Sequence, residues 1–82
     1  MSKAAILFRV YPKDGLLNAA VEDIKRNMKP SDIKLEEVGF GIKIIKVLFT
    51  YDTAVSGSSE IEERLRGLDN VEEVEVEQDT LL

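Results

Sequence analysis

The chain carries a short list of reactive groups: sixteen carboxylates and eleven Lys or Arg side chains, with neither histidine nor cysteine. It therefore has no imidazole base, no thiolate nucleophile, no disulfide and none of the soft ligands that zinc or iron–sulfur centres need. Paired carboxylates are numerous enough for acid–base work, yet they fall on faces expected to be solvated, where nothing would perturb them. No G-x-x-x-x-G-K-[ST] string is present to cradle a phosphate. The arrangement that stands out is Gly39-Phe40-Gly41, one aromatic between two glycines, directly ahead of the most apolar run in the chain. Such glycines open backbone angles closed to other residues and remove the side chains that would shield the ring, so Phe40 is expected to project from a turn. Its chemistry is then recognition: an aromatic anchor buried in a partner's pocket contributes about 2 kcal/mol or more. The competing expectation is that Phe40 folds back and plugs the end of the core.

Eighty-two residues provide one domain, 1–82, whose net stability is roughly 5 to 10 kcal/mol. Residues 1–57 hold nine basic and seven acidic side chains, whereas 58–82 hold two basic and nine acidic. An acidic C-terminal third repels phosphate backbones and argues against nucleic acid. It either faces a basic protein partner or simply solvates a helix and an edge strand. The N-terminal apolar stretch is too short for a secretory segment and is broken by Arg9, and no window approaches the roughly 18 apolar residues of a membrane span. These features predict a cytoplasmic protein without a membrane partner.

Several elements must position Phe40. Lys3 to Tyr11 alternates, with Ala4, Ile6, Phe8 and Val10 on one side and Ala5, Leu7, Arg9 and Tyr11 on the other, the period of a strand that Pro12 and Asp14-Gly15 end. Leu17, Ala20, Val21, Ile24 and Met28 recur at helical spacing, with Asp14 the expected N-cap, Lys25, Arg26 and Lys29 near the C-terminus, and Pro30 beyond. Ile33, Leu35 and Val38 indicate a second strand, and Ile42 to Tyr51 a third, central one with Ile45, Val47, Phe49 and Tyr51 inward and Lys43 and Lys46 on more solvated stretches. After a loop from Asp52 to Ser58, Ser59-x-x-Glu62 reads as a capping box for a helix with Ile61, Leu65 and Leu68 on one stripe, ending between Gly67 and Asn70. A last strand, Val71 to Glu77, is expected to bury Val74 and Val76 and to turn Glu73, Glu75 and Glu77 outward.

The order β-α-β-β-α-β with short connections predicts an α+β, ferredoxin-like split sandwich: a four-stranded antiparallel sheet with both helices on one face. Leu7, Tyr11, Ile44 and Leu48 should then lie on the open face, where apolar patches often mark interaction surfaces. The fold alone specifies no activity. A metal chaperone of this shape would need paired cysteines, and an RNA-recognition motif a basic third strand with more aromatics than Phe49 and Tyr51.

The string VGFGIKIIKV at 38–47, followed by Gly57, an acidic helix and the GLDNVEEVEVE stretch at 67–77, resembles the archaeal elongation factor 1-beta family, and is similar to the C-terminal exchange domain of the eukaryotic counterpart. The likeness spans essentially the whole chain and is sharpest at Gly39 to Lys43. It implies a guanine nucleotide exchange factor for elongation factor 1-alpha in translation elongation, acting by protein binding rather than as an enzyme and needing no cofactor or metal of its own. It also implies that Phe40 enters a pocket on that GTPase, with Gly39, Gly41, Ile42 and Lys43 forming the surrounding contact loop. The eukaryotic domains end with a penultimate lysine directed at the GTPase's magnesium and phosphate site. Here that position is Leu81, so Asp79, or a wedge of Leu81 and Leu82, stands as the candidate for the same task, against a frayed terminus. A monomer is expected. The alternative is a small-molecule-sensing regulatory domain that dimerises through its sheet; an acylphosphatase-like hydrolase ranks last, because Pro12-Lys13-Asp14-Gly15 is a poor phosphate loop.

Overall fold

A computed structural model of the chain describes residues 2–54 and 57–82. The expected alternation yields β1 (Lys3–Pro12), in which Ala4, Ile6, Phe8 and Val10 are buried and their neighbours half-exposed. The chain turns through Asp14 and Gly15, where the Leu16 amide donates to the Lys13 carbonyl at 2.9 Å, and enters α1 (Leu17–Met28). Asp14 does not cap α1 as its position suggested. The turn uses it, Leu16 takes the N-cap place and no side chain caps the helix. Lys25 and Arg26 occupy the last turn, where the helix dipole favours cations, and Lys29 stops the helix in a left-handed conformation (φ 47°) ahead of Pro30.

Next come β2 (Asp32–Gly39), β3 (Ile42–Asp52), α2 (Ser58–Arg66) and β4 (Val71–Leu81). Part of the predicted 52–58 loop, Val55 and Ser56, lies outside the described residues. The capping box at Ser59 and Glu62 does not form. α2 starts two residues earlier, with extended Gly57 (φ −125°, ψ 164°) at the N-cap, itself a tolerated N-cap residue, and with Glu60 in the first turn near the positive dipole end.

The strands form one antiparallel sheet in the order β2-β3-β1-β4, which with the element order is the expected ferredoxin-like α+β fold. β3 is central, as its composition required. One face of the sheet presents Ile6, Phe8, Val10, Ile45, Val47, Phe49 and Val74 to Ala20 and Ile24 of α1 and Leu65 of α2, and all of these are buried in a single cluster. The rings of Phe8 and Phe49 meet edge-on, 5.9 Å between centroids. Polar contacts tie the helical layer together: the Arg64 guanidinium donates to the Asn27 carbonyl at 3.0 Å and the Asn70 amide to the Asp23 carboxylate at 2.6 Å.

β4 departs furthest from expectation. It continues past Glu77 to Leu81, pairing Asp79 with Ile6 and Leu81 with Ala4, and the Leu82 amide donates to the Lys3 carbonyl at 2.8 Å, so the C-terminus is strand rather than frayed tail. Val76 is 46% exposed instead of buried. As an edge strand β4 has a neighbour on one side only, and the nine residues of α2, about 14 Å of helix, shadow about four residues of strand. Glu77 is also not simply turned to solvent, because it is held in ion pairs.

Candidate functional site

The β2–β3 connection is a two-residue turn. Gly39 pairs with Ile42, and Phe40 (φ 53°) and Gly41 (φ 76°) both have positive φ, the signature of a type I′ hairpin whose twist suits the flanking strands. Gly39 lies at φ 122°, in a region that side chains rarely tolerate, and Val38 is left over as a bulge between the Glu37–Lys43 and Gly39–Ile42 pairs. The left-handed region costs a residue with a side chain about 1–2 kcal/mol. Phe40 bears that cost with its ring wholly in solvent, so it plugs nothing and the core-plug expectation fails. Ile42 and Lys43, the next two residues of the expected contact loop, are exposed as well.

Beside the tip lies a groove of about 290 Å³, walled by Tyr11 to Gly15 and Leu17 on one side and Gly41 to Ile44 on the other. The β1–α1 loop that forms one wall is pinned by the Lys13 amide, which donates to the Asn70 carbonyl at 3.0 Å. The sequence puts Tyr11 on the open face, Asp14 at the N-cap of α1 and Pro12-Lys13-Asp14-Gly15 in a poor phosphate loop, and nothing local says that β3 begins next to them. Ile44, expected on the open face with Leu7, Tyr11 and Leu48, is buried at 1% and shares this groove with Tyr11. In a central strand its branched side chain has neighbours on both flanks, from β1 and β2.

Asp79 and Leu81 are not brought to this place. Lys3 pairs with Asp52 and Ala4 with Leu81, so the end of β4 lies at the opposite end of the sheet. The eleven residues of β3 separate the two ends by roughly 33 Å at 3.3 Å each. There Leu81 and Leu82 are exposed, and the Tyr51 hydroxyl donates to the Asp79 carboxylate at 3.3 Å.

A row of charges spans the open face. Lys46 on β3 contacts Glu36 of β2 at 3.2 Å and reaches past β1 to Glu77 of β4 at 3.0 Å, while Arg9 of β1 lies 3.7 Å from Glu77. Hydrogen bonds donated first to Glu77 and then to Glu36 raise the Lys46 ammonium above the ordinary lysine value of 10.5. The open face is therefore not a continuous apolar surface, and its apolar part is a shallow depression floored by Ala5, Leu7 and Leu48. Among the described residues no cluster of acidic side chains is arranged to hold a metal ion.

The hairpin tip thus offers one exposed aromatic ring beside a groove. The sequence profile of the EF-1 guanine nucleotide exchange domain matches residues 5–82. The chain belongs to that family. It is 32% identical over 85 aligned positions to the elongation factor 1-beta of Methanospirillum hungatei, with all of both chains covered. It is 31% identical to that of Aeropyrum pernix (94% of this chain, 93% of the relative) and 33% identical to that of Ignicoccus hospitalis (94% and 89%). EF-1 exchange domains are translation factors that promote guanine nucleotide exchange and are not covalent catalysts. No helix among the described residues is long and apolar enough to cross a membrane.

Proposed function

We propose that this protein promotes GDP release and GTP loading on elongation factor 1-alpha in the cytoplasm, by seating Phe40 in a pocket of the GTPase and applying the C-terminal end of β4 to its magnesium and phosphate region. The observation that carries this reading is the Phe40 ring, held wholly in solvent on a turn whose backbone is strained to present it. Gly39 and Gly41 shape the turn, and Ile42 and Lys43 extend the contact along β3. Asp79 and the exposed Leu81–Leu82 edge are the groups presented at the far end.

The mechanism is linkage. A protein that binds the nucleotide-free GTPase more tightly than the GDP form weakens GDP binding by the same factor, commonly about 5- to 150-fold. The exchange domain needs no nucleotide site of its own: GDP leaves sooner, and GTP rebinding expels the domain. It acts as a monomer, with no nucleic acid or membrane in the complex. Release of a fluorescent GDP analogue from the cognate elongation factor 1-alpha tests the reading. Release should accelerate with added protein and saturate; unchanged release overturns it. Gel filtration of the free protein should give the 9.2 kDa monomer.

A further inference from the structure

β4 changes register where its charges are gripped. Val74 and Val76 pair with Val10 and Phe8, but Leu7 pairs with Gln78, which leaves Glu77 as an extra residue in a β-bulge. Every side chain after it changes face. Had the alternation of Val74 and Val76 continued, Gln78 and Thr80 would stand opposite the buried Ile6 and Ala4; with the bulge, Asp79 and Leu81 stand there instead. Only in the bulged register does the Asp79 carboxylate reach the Tyr51 hydroxyl on the helix-covered face. Glu77 is also the residue held from the neighbouring strands, by Lys46 at 3.0 Å and Arg9 at 3.7 Å, with all three side chains about a third exposed or less. Glu36 shares Lys46, so the grip extends across all four strands.

We infer that Glu77 is a positioning residue: clamped by Lys46 and Arg9, it holds the bulge and so decides which side chains the end of β4 turns toward the partner. The inference rests on the exchange reading for its functional part and on the register alone for its structural part. A bulge on an edge strand is easily lost, because the slipped pairing restores a regular ladder. The ion row opposes the slip together with the Tyr51–Asp79 hydrogen bond, because a regular ladder would turn Asp79 away from Tyr51 and replace the position from which Glu77 meets Lys46 and Arg9.

Because the chain has no cysteine, register can be read by engineered crosslinks. Ala5→Cys with Thr80→Cys joins residues that face each other in the bulged register, and Ala5→Cys with Asp79→Cys joins residues that face each other only after a slip. The first pair should close and the second stay open in the otherwise unaltered protein. Adding Glu77→Gln, or Lys46→Met, should weaken the first and open a route to the second. On the GTPase, Glu77→Gln should lower the saturating rate of GDP release about fivefold, while the half-saturating concentration, set at the Phe40 end, stays within about twofold. Closing the Ala5–Thr80 crosslink in the Glu77→Gln protein should restore the rate. Crosslinks unchanged by Glu77→Gln overturn the inference, and so does a register-locked protein that remains slow. If the protein without substitutions leaves GDP release unaltered, the exchange reading falls separately and the crosslinks still decide whether Glu77 sets the register.

Discussion

Phe40 is held where its own fold gains nothing from it. The ring makes no core contact and its backbone lies in a left-handed conformation that suits asparagine or glycine better, so stability and function should separate at this residue. Phe40→Ala should leave Tm nearly unchanged and weaken association with elongation factor 1-alpha by about 2 kcal/mol or more, roughly 30-fold, in a titration of exchange rate against concentration. Phe40→Asn should do more: Asn-Gly is the favoured type I′ pair, so the variant should gain roughly 1 kcal/mol, about 4–8 °C in Tm, while exchange is lost. A Phe40→Asn protein that melts lower than the wild type contradicts the strained-turn account. The sharp turn at this ring was legible in the sequence, because glycines flank the aromatic on both sides, whereas its exposure was not, since the same residues also allowed the ring to fold back onto the core. The identity of the turn was not: Phe-Gly is an unusual occupant of a type I′ site, and local preference argues against it.

Elements were legible wherever an apolar period was strong. β1, α1 and β3 fall where Ala4 to Val10, Leu17 to Met28 and Ile45 to Phe49 place them, since burial against a common core enforces those periods. Caps and the last strand were less legible. Asp14 and Ser59 are good capping residues in isolation, but a turn and an earlier helix start displaced them, differences of well under the cost of one buried side chain. The tail of β4, Glu77-Gln78-Asp79-Thr80, is polar throughout and lies on an edge, so no apolar period marks it, and Arg9 and Lys46, which contact Glu77 at its bulge, are distant in sequence. Leu65, the fully buried residue of α2, should be the point at which that short helix fails. Leu65→Ala should lower stability by about 2–5 kcal/mol in urea titration, a large part of the total. The charge row adds a pH signature. The folded pKa of Lys46 lies above that of the unfolded chain, so its stabilisation is complete below 10.5 and is lost as pH rises through the folded value. Urea midpoints measured from about pH 9 to pH 12 should fall more steeply for the wild type than for Lys46→Met.

At the scale of the whole molecule, the Cα envelope is 42 × 23 × 16 Å, and the two groups of proposed contact residues occupy its opposite ends. Phe40 and the groove lie at one end, the end of β4 at the other, with the acidic residues of 58–82 largely along one edge and helix. Loss of Leu81 and Leu82 should therefore slow saturated exchange without changing the concentration needed for saturation, the reverse of the Phe40→Ala pattern. Association should also slow as salt is raised if the acidic residues of 58–82 face a basic surface of the partner, and salt-independent association would assign them to solvation alone. The sheet joining the two ends is paired strand to strand apart from its bulges, and its span is fixed by the number of residues in β3. On the proposed exchange reading it would serve as a gauge: a GTPase whose aromatic pocket and phosphate site change separation between nucleotide states would fit both jaws in one state only. Selection among those states would then follow from a length, and lengthening the β2–β3 hairpin by one residue pair should blunt it even with every contacting side chain intact.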